Sequence, residues 1–302
     1  YLKRQAPELS IAIIEAQMAG FGASGRNGGW LMGNLLGEDR LLAGLPAEQR
    51  RASFDLLHSI PDEVEIVIER EGIDCDYRKG GVLYCAARYP EQEHSLRRYL
   101  DGIYAQGLNE ADYRWLSPEQ LNQQIRLARP YGAIYAPHCA TIHPAKLVRG
   151  LARTVQNMGV KIYENSPVTH WQSGSLRTAK ASVRTRWVVP AVEGYAATLP
   201  GLGRYQLPVQ SLIIATEPLS EELAHSLLPQ NMAVCDQRVA LDYYRLSADR
   251  RLLFGGACHY SGRDPKDIAA YMQPKMLEVF PQLAGVKIDY QWGGMIGIGA
   301  NR

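Results

Sequence analysis

The chain has 302 residues with 33 basic and 31 acidic side chains, a net charge of +2, and 46% hydrophobic against 21% charged content. That length allows a large core or two domains sharing one ligand, while interspersed, balanced charge excludes an extended nucleic-acid surface. A mean hydropathy of -0.23, apolar runs far short of the ~20 residues a spanning helix needs, and no secretory leader together indicate a cytoplasmic protein without a transmembrane segment.

Residues 1–5 read as the tail of a helix. Residues 11–15, IAIIE, read as a buried parallel strand ending in an acid. An acid at that carboxyl end can take both hydroxyls of an adenosine ribose, which makes Glu15 the ribose ligand. The turn from Gly22 to Gly29 then leaves main-chain N–H groups uncovered, so a pyrophosphate or a flat ring can approach the backbone. Ser24, Asn27, Gly28 and Gly29 are its cofactor candidates; Arg26 either balances phosphate charge or pairs with an acid. Gly20 to Gly25 also spells G-x-G-x-x-G, but that fingerprint follows the first strand and precedes its acid by roughly twenty residues. Here the acid comes first. Residues 11–15 are therefore the second strand, and the first strand with its glycine turn is expected upstream of Tyr1.

Helical spacing follows over residues 38–57 and 61–72, then strand character with a glycine turn over 76–86. A helix is expected at 91–105. Ser117-Pro118-Glu119-Gln120 is a capping box with proline at the first helical position. Residues 132–136 read as a strand, and His143-Pro144 opens an amphipathic helix with Leu147, Val148, Leu151 and Val155 on one face. Strands are expected at 161–163, near Val168 and at 187–189, around a turn at 173–180; this second nucleotide-layer unit belongs with residues 11–15 in one doubly wound sheet. From Leu207 the pattern becomes a run of strands at 210–216, 232–236, 239–246 and 252–255, with 247–250 as a hairpin connection. A helix at 265–280 and a strand at 286–290 close the chain. The five cysteines, Cys75, Cys85, Cys139, Cys235 and Cys258, are odd in number without a C-x-x-C pair, and read as reduced, buried thiols.

Four stretches in one order, IIEA at 13–16, GASGRNGGW at 22–30, IHPAKLVRGLA at 142–152 and LDYYRLSADRRLLFGG at 241–256, carry a resemblance to a known family. The chain resembles the FAD-dependent oxidoreductases of the D-amino-acid oxidase and glycine oxidase family, nearest its gamma-glutamylputrescine oxidase branch. The family's first strand, its glycine fingerprint and its carboxyl-terminal return to the flavin are missing, so the chain reads as truncated at both ends. The resemblance implies an α/β fold. Its parts would be a Rossmann-like FAD-binding domain, residues 1–75 and 140–204, and an α+β substrate domain on a largely antiparallel sheet, residues 76–139 and 205–302. It also implies oxidation of an amine or amino acid to an imine, with FAD as cofactor and oxygen or another electron acceptor as partner. Carried onto this chain, the glycine loop runs along the pyrophosphate to the flavin ring, and Val168 meets the adenine through its backbone. Glu193 begins the turn after residues 187–189, where Pro190 departs from the family pattern. Tyr244 and Arg245 border the substrate pocket, with His143 as a further pocket or gating residue. In a strand adjacent side chains face opposite ways, so only one of Tyr244 and Arg245 can point at the ring. His138, Cys139 and His143 lack the acid or second cysteine that would complete a metal site. Two alternatives stay open: an NAD-dependent dehydrogenase, which the Glu15 site alone would permit, and a non-catalytic fragment.

Overall fold

The alternating apolar pattern of the later chain builds one eight-stranded sheet. A computed structural model describes residues 1–199, 201–203, 205–238, 241–259 and 266–299 and the side chains of all of these but 257–259, and its strand order runs across the whole sheet. It is Ile288–Gly299, Gln206–Thr216, Leu252–His259, Tyr243–Leu246, Ala233–Asp236, Val82–Cys85, Ala133–Ala136 and Arg114–Leu116. Every neighbouring pair is antiparallel except Val82–Cys85 beside Ala233–Asp236, which is parallel. The sheet is thus mixed, and largely antiparallel as the strand run implied.

Directly paired residues share a face. Val234, Tyr244 and Phe254 are register partners across three strands. They enter the core beneath the helix Ile268–Val279, with Met272, Met276 and Phe280. Tyr84, Cys235 and Tyr243 are partners one residue along. They lie on the opposite face, in the core that includes Leu96 and Leu100 of the helix Glu91–Ala105. Burying a side chain such as Phe254, fully enclosed here, is worth about 2–3 kcal/mol, so each face holds its covering helices on the sheet through buried apolar area.

The other layer is smaller than the sequence led us to expect. Ala12–Ile14 pairs in parallel with Lys161–Tyr163, and these two strands form a sheet of their own. The strand is parallel but not buried: Ile13 is 42% exposed, because among the described residues only one of its edges is paired. Residues 187–189 form no strand; Trp187 and Val189 are exposed, and Pro190 cannot donate to a ladder. Instead of a turn between two crossover strands, Val168–Gln172, Ser175–Thr178 and Ser182–Arg184 make an antiparallel meander. A third small sheet orders Trp30–Met32, Cys139–Thr141 and Arg78–Lys79. The helix expected over 38–57 breaks at Pro46 into Glu38–Leu42 and Ala47–His58, and the last strand is longer than 286–290.

Other local signals are realised. Ser117 and Gln120 make a reciprocal capping box, and His143 caps the helix Pro144–Asn157. Cys75, Cys85, Cys139 and Cys235 are free and buried; the side chain of Cys258 lies outside the described set, as do Val239, Ala240 and Pro265 of the expected strand and helix. No described helix is long and apolar enough to cross a membrane.

Candidate functional site

Glu15 stands where the first parallel strand ends. Its N–H donates to Tyr163 O at 2.9 Å, continuing the ladder, and its Oε1 accepts from Gln17 N–H at 2.9 Å. That contact fixes the half-buried carboxylate. No cation lies within 4 Å of it among the described residues, so its second oxygen is open to a hydroxyl. Ser166 N–H donates to Glu15 O at 2.9 Å, and Pro167 leads directly to Val168 at the start of the meander. Glu15 and the Val168 backbone are thereby brought to one corner.

The turn from Gly20 to Gly29 is where every layer meets. A Cβ on Gly20 would lie 2.5 Å from Val148 of the helix Pro144–Asn157, one on Gly25 2.0 Å from Gly20 O, and one on Gly28 2.8 Å from the Tyr243 ring. The backbone fits only without side chains there. Residues Ala23–Arg26 form one helical turn, closed by Asn27, whose Nδ2 donates to Ala23 O and Ser24 O and whose Oδ1 accepts from Gly29 N–H at 2.8 Å. Ser24 is exposed. Among the described residues Arg26 pairs with no acid: its Nε donates to Phe21 O at 2.6 Å, its Nη1 to Gly293 O at 3.1 Å, and its guanidinium covers the Phe21 ring. Trp292 Nε1 donates back to Arg26 O at 2.8 Å. Arg26 thus ties the turn to the far strand of the large sheet.

Beneath Gly28 and Gly29 sits Arg245, 5% exposed. Its Nε donates to Gly28 O at 2.6 Å, its Nη2 to Ile142 O at 2.7 Å and its Nη1 to Leu246 O at 3.0 Å. Burial lowers its pKa to about 10 and Asp76 opposes that only at a distance, so it stays a cation at neutral pH. Among the described residues no carboxylate lies within 4 Å. Carbonyl oxygens alone answer a buried positive charge, an arrangement that favours an incoming anionic or strongly accepting group. Tyr243 shares this face. Its ring lies over Gly255 and meets Trp30 edge-on at 5.9 Å, with its hydroxyl 3.3 Å from Ser211 Oγ. Tyr244 points the other way. It is 1% exposed, stacked on Phe254 at 5.7 Å and edge-on to Phe280 at 4.9 Å.

His143 lies at a different station. Its Nδ1 accepts from Lys146 N–H at 3.4 Å, the helix cap. Glu193, at φ +43, accepts from its neighbour Gly194 N–H and from Gly297 N–H at 2.7 Å, fastening the turn Glu193–Thr198 to the long strand. His138 stacks on His58 at 3.7 Å, and both adjoin Asp112. Arg51 already engages both oxygens of that carboxylate, at 2.7 and 3.1 Å. His58 Nδ1 and His138 Nε2 lie 3.7 and 3.9 Å from the same Asp112 oxygen, and the ligand atoms of the three residues are within 4.8 Å of one another. Burial, then His138, lowers His58 to about 4. The surface hollow of about 430 Å³ lined by Arg126, Leu223, Ser226 and Gln282 contains none of the expected site residues.

Sequence reasoning missed Tyr243 and the Ile142 carbonyl. The first follows from parity only once the sheet is paired: Tyr244 shares strand parity with Leu246 and opposes Phe254, so the apolar face claims Tyr244 and leaves Tyr243 with Arg245 for the turn. The second is a backbone group and leaves no mark in the residue type.

A carboxylate ending a parallel strand, a turn whose glycines leave no room for a Cβ, and a sheet presenting a buried cation to that turn suit a protein that holds a nucleotide cofactor. A profile of the DAO family, described as FAD dependent oxidoreductase, matches residues 1–302, and the chain belongs to this family of FAD-dependent amine oxidoreductases. It is 36% identical to the gamma-glutamylputrescine oxidoreductase of Escherichia coli, over 94% of this chain and 67% of that protein. It is 34% identical to a probable oxidoreductase, OrdL, of Haemophilus influenzae, over 96% of this chain and 68% of that one. Among solved structures, glycine oxidase from Bacillus cereus superposes with a TM-score of 0.74 at 18% identity, covering 96% of this chain and 78% of that one. FAD is the cofactor the family implies. The residues present fit it: an open carboxylate oxygen for a ribose, a turn whose glycines leave no room for a Cβ, and behind that turn a buried guanidinium held by carbonyls with no carboxylate within 4 Å among the described residues.

Proposed function

We propose that this protein oxidises the CH–NH unit of a primary or secondary amine, or of an amino acid, to an imine that water then hydrolyses. The preferred substrate is an elongated amine such as gamma-glutamylputrescine or a related polyamine derivative. The observation that carries this reading is the Gly28–Gly29 turn clamped between Arg245 and Tyr243 inside a chain of this family. The likeness to the E. coli enzyme supports the substrate. FAD, when bound, supplies the acceptor for the two electrons leaving the amine and hands them to oxygen or another acceptor.

The chain's own residues bind and orient. Glu15 holds the ribose hydroxyls and the Val168 backbone borders the adenine. The turn at Ser24, Arg26, Asn27, Gly28 and Gly29 follows the pyrophosphate toward the ring, with Glu193 fixing the adjoining turn. Arg245 holds the Gly28 carbonyl of that turn from below and contributes positive charge from a buried position. Tyr243 and Trp30 exclude water from the reacting carbon and align it, and alignment of this kind provides most of the acceleration such a reaction needs. His143 positions the helix it caps. The division into segments 1–75 with 140–204, and 76–139 with 205–302, is part of this proposal.

The test is the visible spectrum of the protein mixed with excess FAD and desalted, followed by peroxide assays over an amine panel. Retained flavin bands with amine-dependent peroxide support the reading. Retained flavin that no amine bleaches under nitrogen would refute the amine chemistry while leaving the cofactor site intact.

A further inference from the structure

What the sequence around His138 lacks, the fold supplies. Asp112, from the turn ahead of Arg114–Leu116, and His58, the last residue of the helix Ala47–His58, meet His138 from two other elements. Asp112 Oδ1 is their common point, 3.7 Å from His58 Nδ1 and 3.9 Å from His138 Nε2. His138 Nε2 is buried, yet among the described residues it has no hydrogen-bond partner. A buried polar atom left open beside a carboxylate is short of a ligand.

The surroundings hold this set in place. Arg51 donates to Asp112 Oδ2 at 2.7 Å and to Oδ1 at 3.1 Å, and Asn109 N–H donates to Oδ2 at 3.0 Å. Oδ2 thus has two donors, while Oδ1, with one longer contact, keeps a lone pair for a further partner. His58 adjoins the Phe54 and Tyr113 rings and its side chain is 7% exposed. His138 stacks on it with ring planes 5° apart, but its side chain is 23% exposed. His138 is therefore the arm that turns out of the stack when both rings ligate one atom. The charge balance favours a cation. Arg51 is shared with Asp55 at 2.8 Å, so two carboxylates face one guanidinium. Lys79, the nearer ammonium to His138, is paired with Asp62.

We infer that His58 Nδ1, His138 Nε2 and Asp112 Oδ1 bind one divalent ion of the zinc type, with water as the fourth ligand. Two imidazoles and one carboxylate suit such an ion better than magnesium or calcium, which take oxygen ligands. Tetrahedral bonds of about 2.1 Å set ligand atoms about 3.4 Å apart, so the two gaps to Asp112 close by only a few tenths of an ångström. Arg51 grips the carboxylate from behind and orients it. The ion joins three segments behind the candidate site: His138 O accepts from Gly33 N–H at 2.7 Å, and Cys139–Thr141, which follows, pairs with Trp30–Met32. It does not depend on the amine chemistry proposed above.

The test is calorimetric titration of zinc at pH 7.5 into the full chain, treated with EDTA and desalted, with cobalt absorption as a second readout. One ion per chain is expected. His138→Gln and His58→Gln should each weaken it at least tenfold, and His170→Gln, in the exposed meander, should leave it unchanged. Circular dichroism in EDTA checks that each variant folds; the partly exposed His138→Gln decides the matter if His58→Gln does not. Saturating zinc should raise the thermal midpoint of the native protein by several degrees and leave that of His138→Gln nearly where it was. Bound cobalt should give visible bands without the intense near-ultraviolet band of a thiolate ligand. Absence of a one-to-one ion, or binding that survives His138→Gln, would overturn the site. A thiolate band would overturn it too, by placing the ion on a cysteine.

Discussion

Gly29→Ala tests whether the turn and the buried arginine are one unit. Gly29 sits at φ +77, and a Cβ there would lie 2.2 Å from Ile142 O and 2.5 Å from Arg245 Nη2. The left-handed backbone alone costs an alanine about 1–2 kcal/mol. The collision must also displace the turn or the guanidinium, loosening bonds to Gly28 O and Ile142 O. Hydrogen bonds to a charged group are worth about 1.5–3 kcal/mol each, so weakening both brings the expected loss to about 4 kcal/mol. Gly107→Ala is the control, since Gly107 has φ +94 and no atom within 4 Å of its Cβ position, so that only the backbone cost of about 1–2 kcal/mol applies. Parallel urea titrations followed by tryptophan fluorescence give both values, and FAD titration shows whether retention fails only in Gly29→Ala. If the two variants lose equal stability, the turn is not wedged against Arg245 and the account of the site is wrong.

Arg245→Met should weaken FAD binding at least tenfold, and Arg245→Lys should not restore it, because an ammonium cannot span the Gly28, Ile142 and Leu246 carbonyls as the planar fork does; FAD titration reads both. His58 has a folded pKa of about 4 against 6.5 in an open chain, so the unfolded state takes up the proton first. Its contribution is complete above pH 6.5 and is lost as pH falls toward 4, by up to about 3 kcal/mol at about 1.4 kcal/mol per unit. Thermal midpoints from pH 7.5 to 4.5 should fall more steeply in the native protein than in His58→Gln, and parallel slopes would refute that assignment. Ser117→Ala removes the oxygen that accepts from Gln120 N–H and should cost about 1 kcal/mol in thermal unfolding.

What the residues disclose by themselves is local. The Ser117 box, the helix Glu91–Ala105, the cap at His143 and the hairpin, where Ser247 N–H donates to Arg251 O at 2.9 Å, each depend on neighbours within a few positions. Ala12–Ile14 shows the limit. An apolar run states that a strand forms, but burial depends on what lies along both edges, and its composition carries no record of that. Residues 168–184 fold back as a meander because Gly174, at φ +81, allows a tight reversal that apolar spacing hides. Tyr243 and Tyr244 differ only in strand parity. Their assignment needed the facing residues Gly255 and Phe254, which become neighbours only once the sheet is paired.

The arginine beneath the turn also orders events in time. Gly28 is 217 residues ahead of the guanidinium that grips its carbonyl, and Ile142 is 103 ahead. At roughly 5–20 residues per second on a ribosome, the turn waits roughly 10–40 s for its clamp. A nascent chain therefore cannot set the turn's clamped shape when the turn is made, only when the strand Tyr243–Leu246 has emerged and paired. Competence to take up the cofactor is in this sense a report on late assembly, and a chain stalled before residue 245 would carry the whole glycine turn without its clamp.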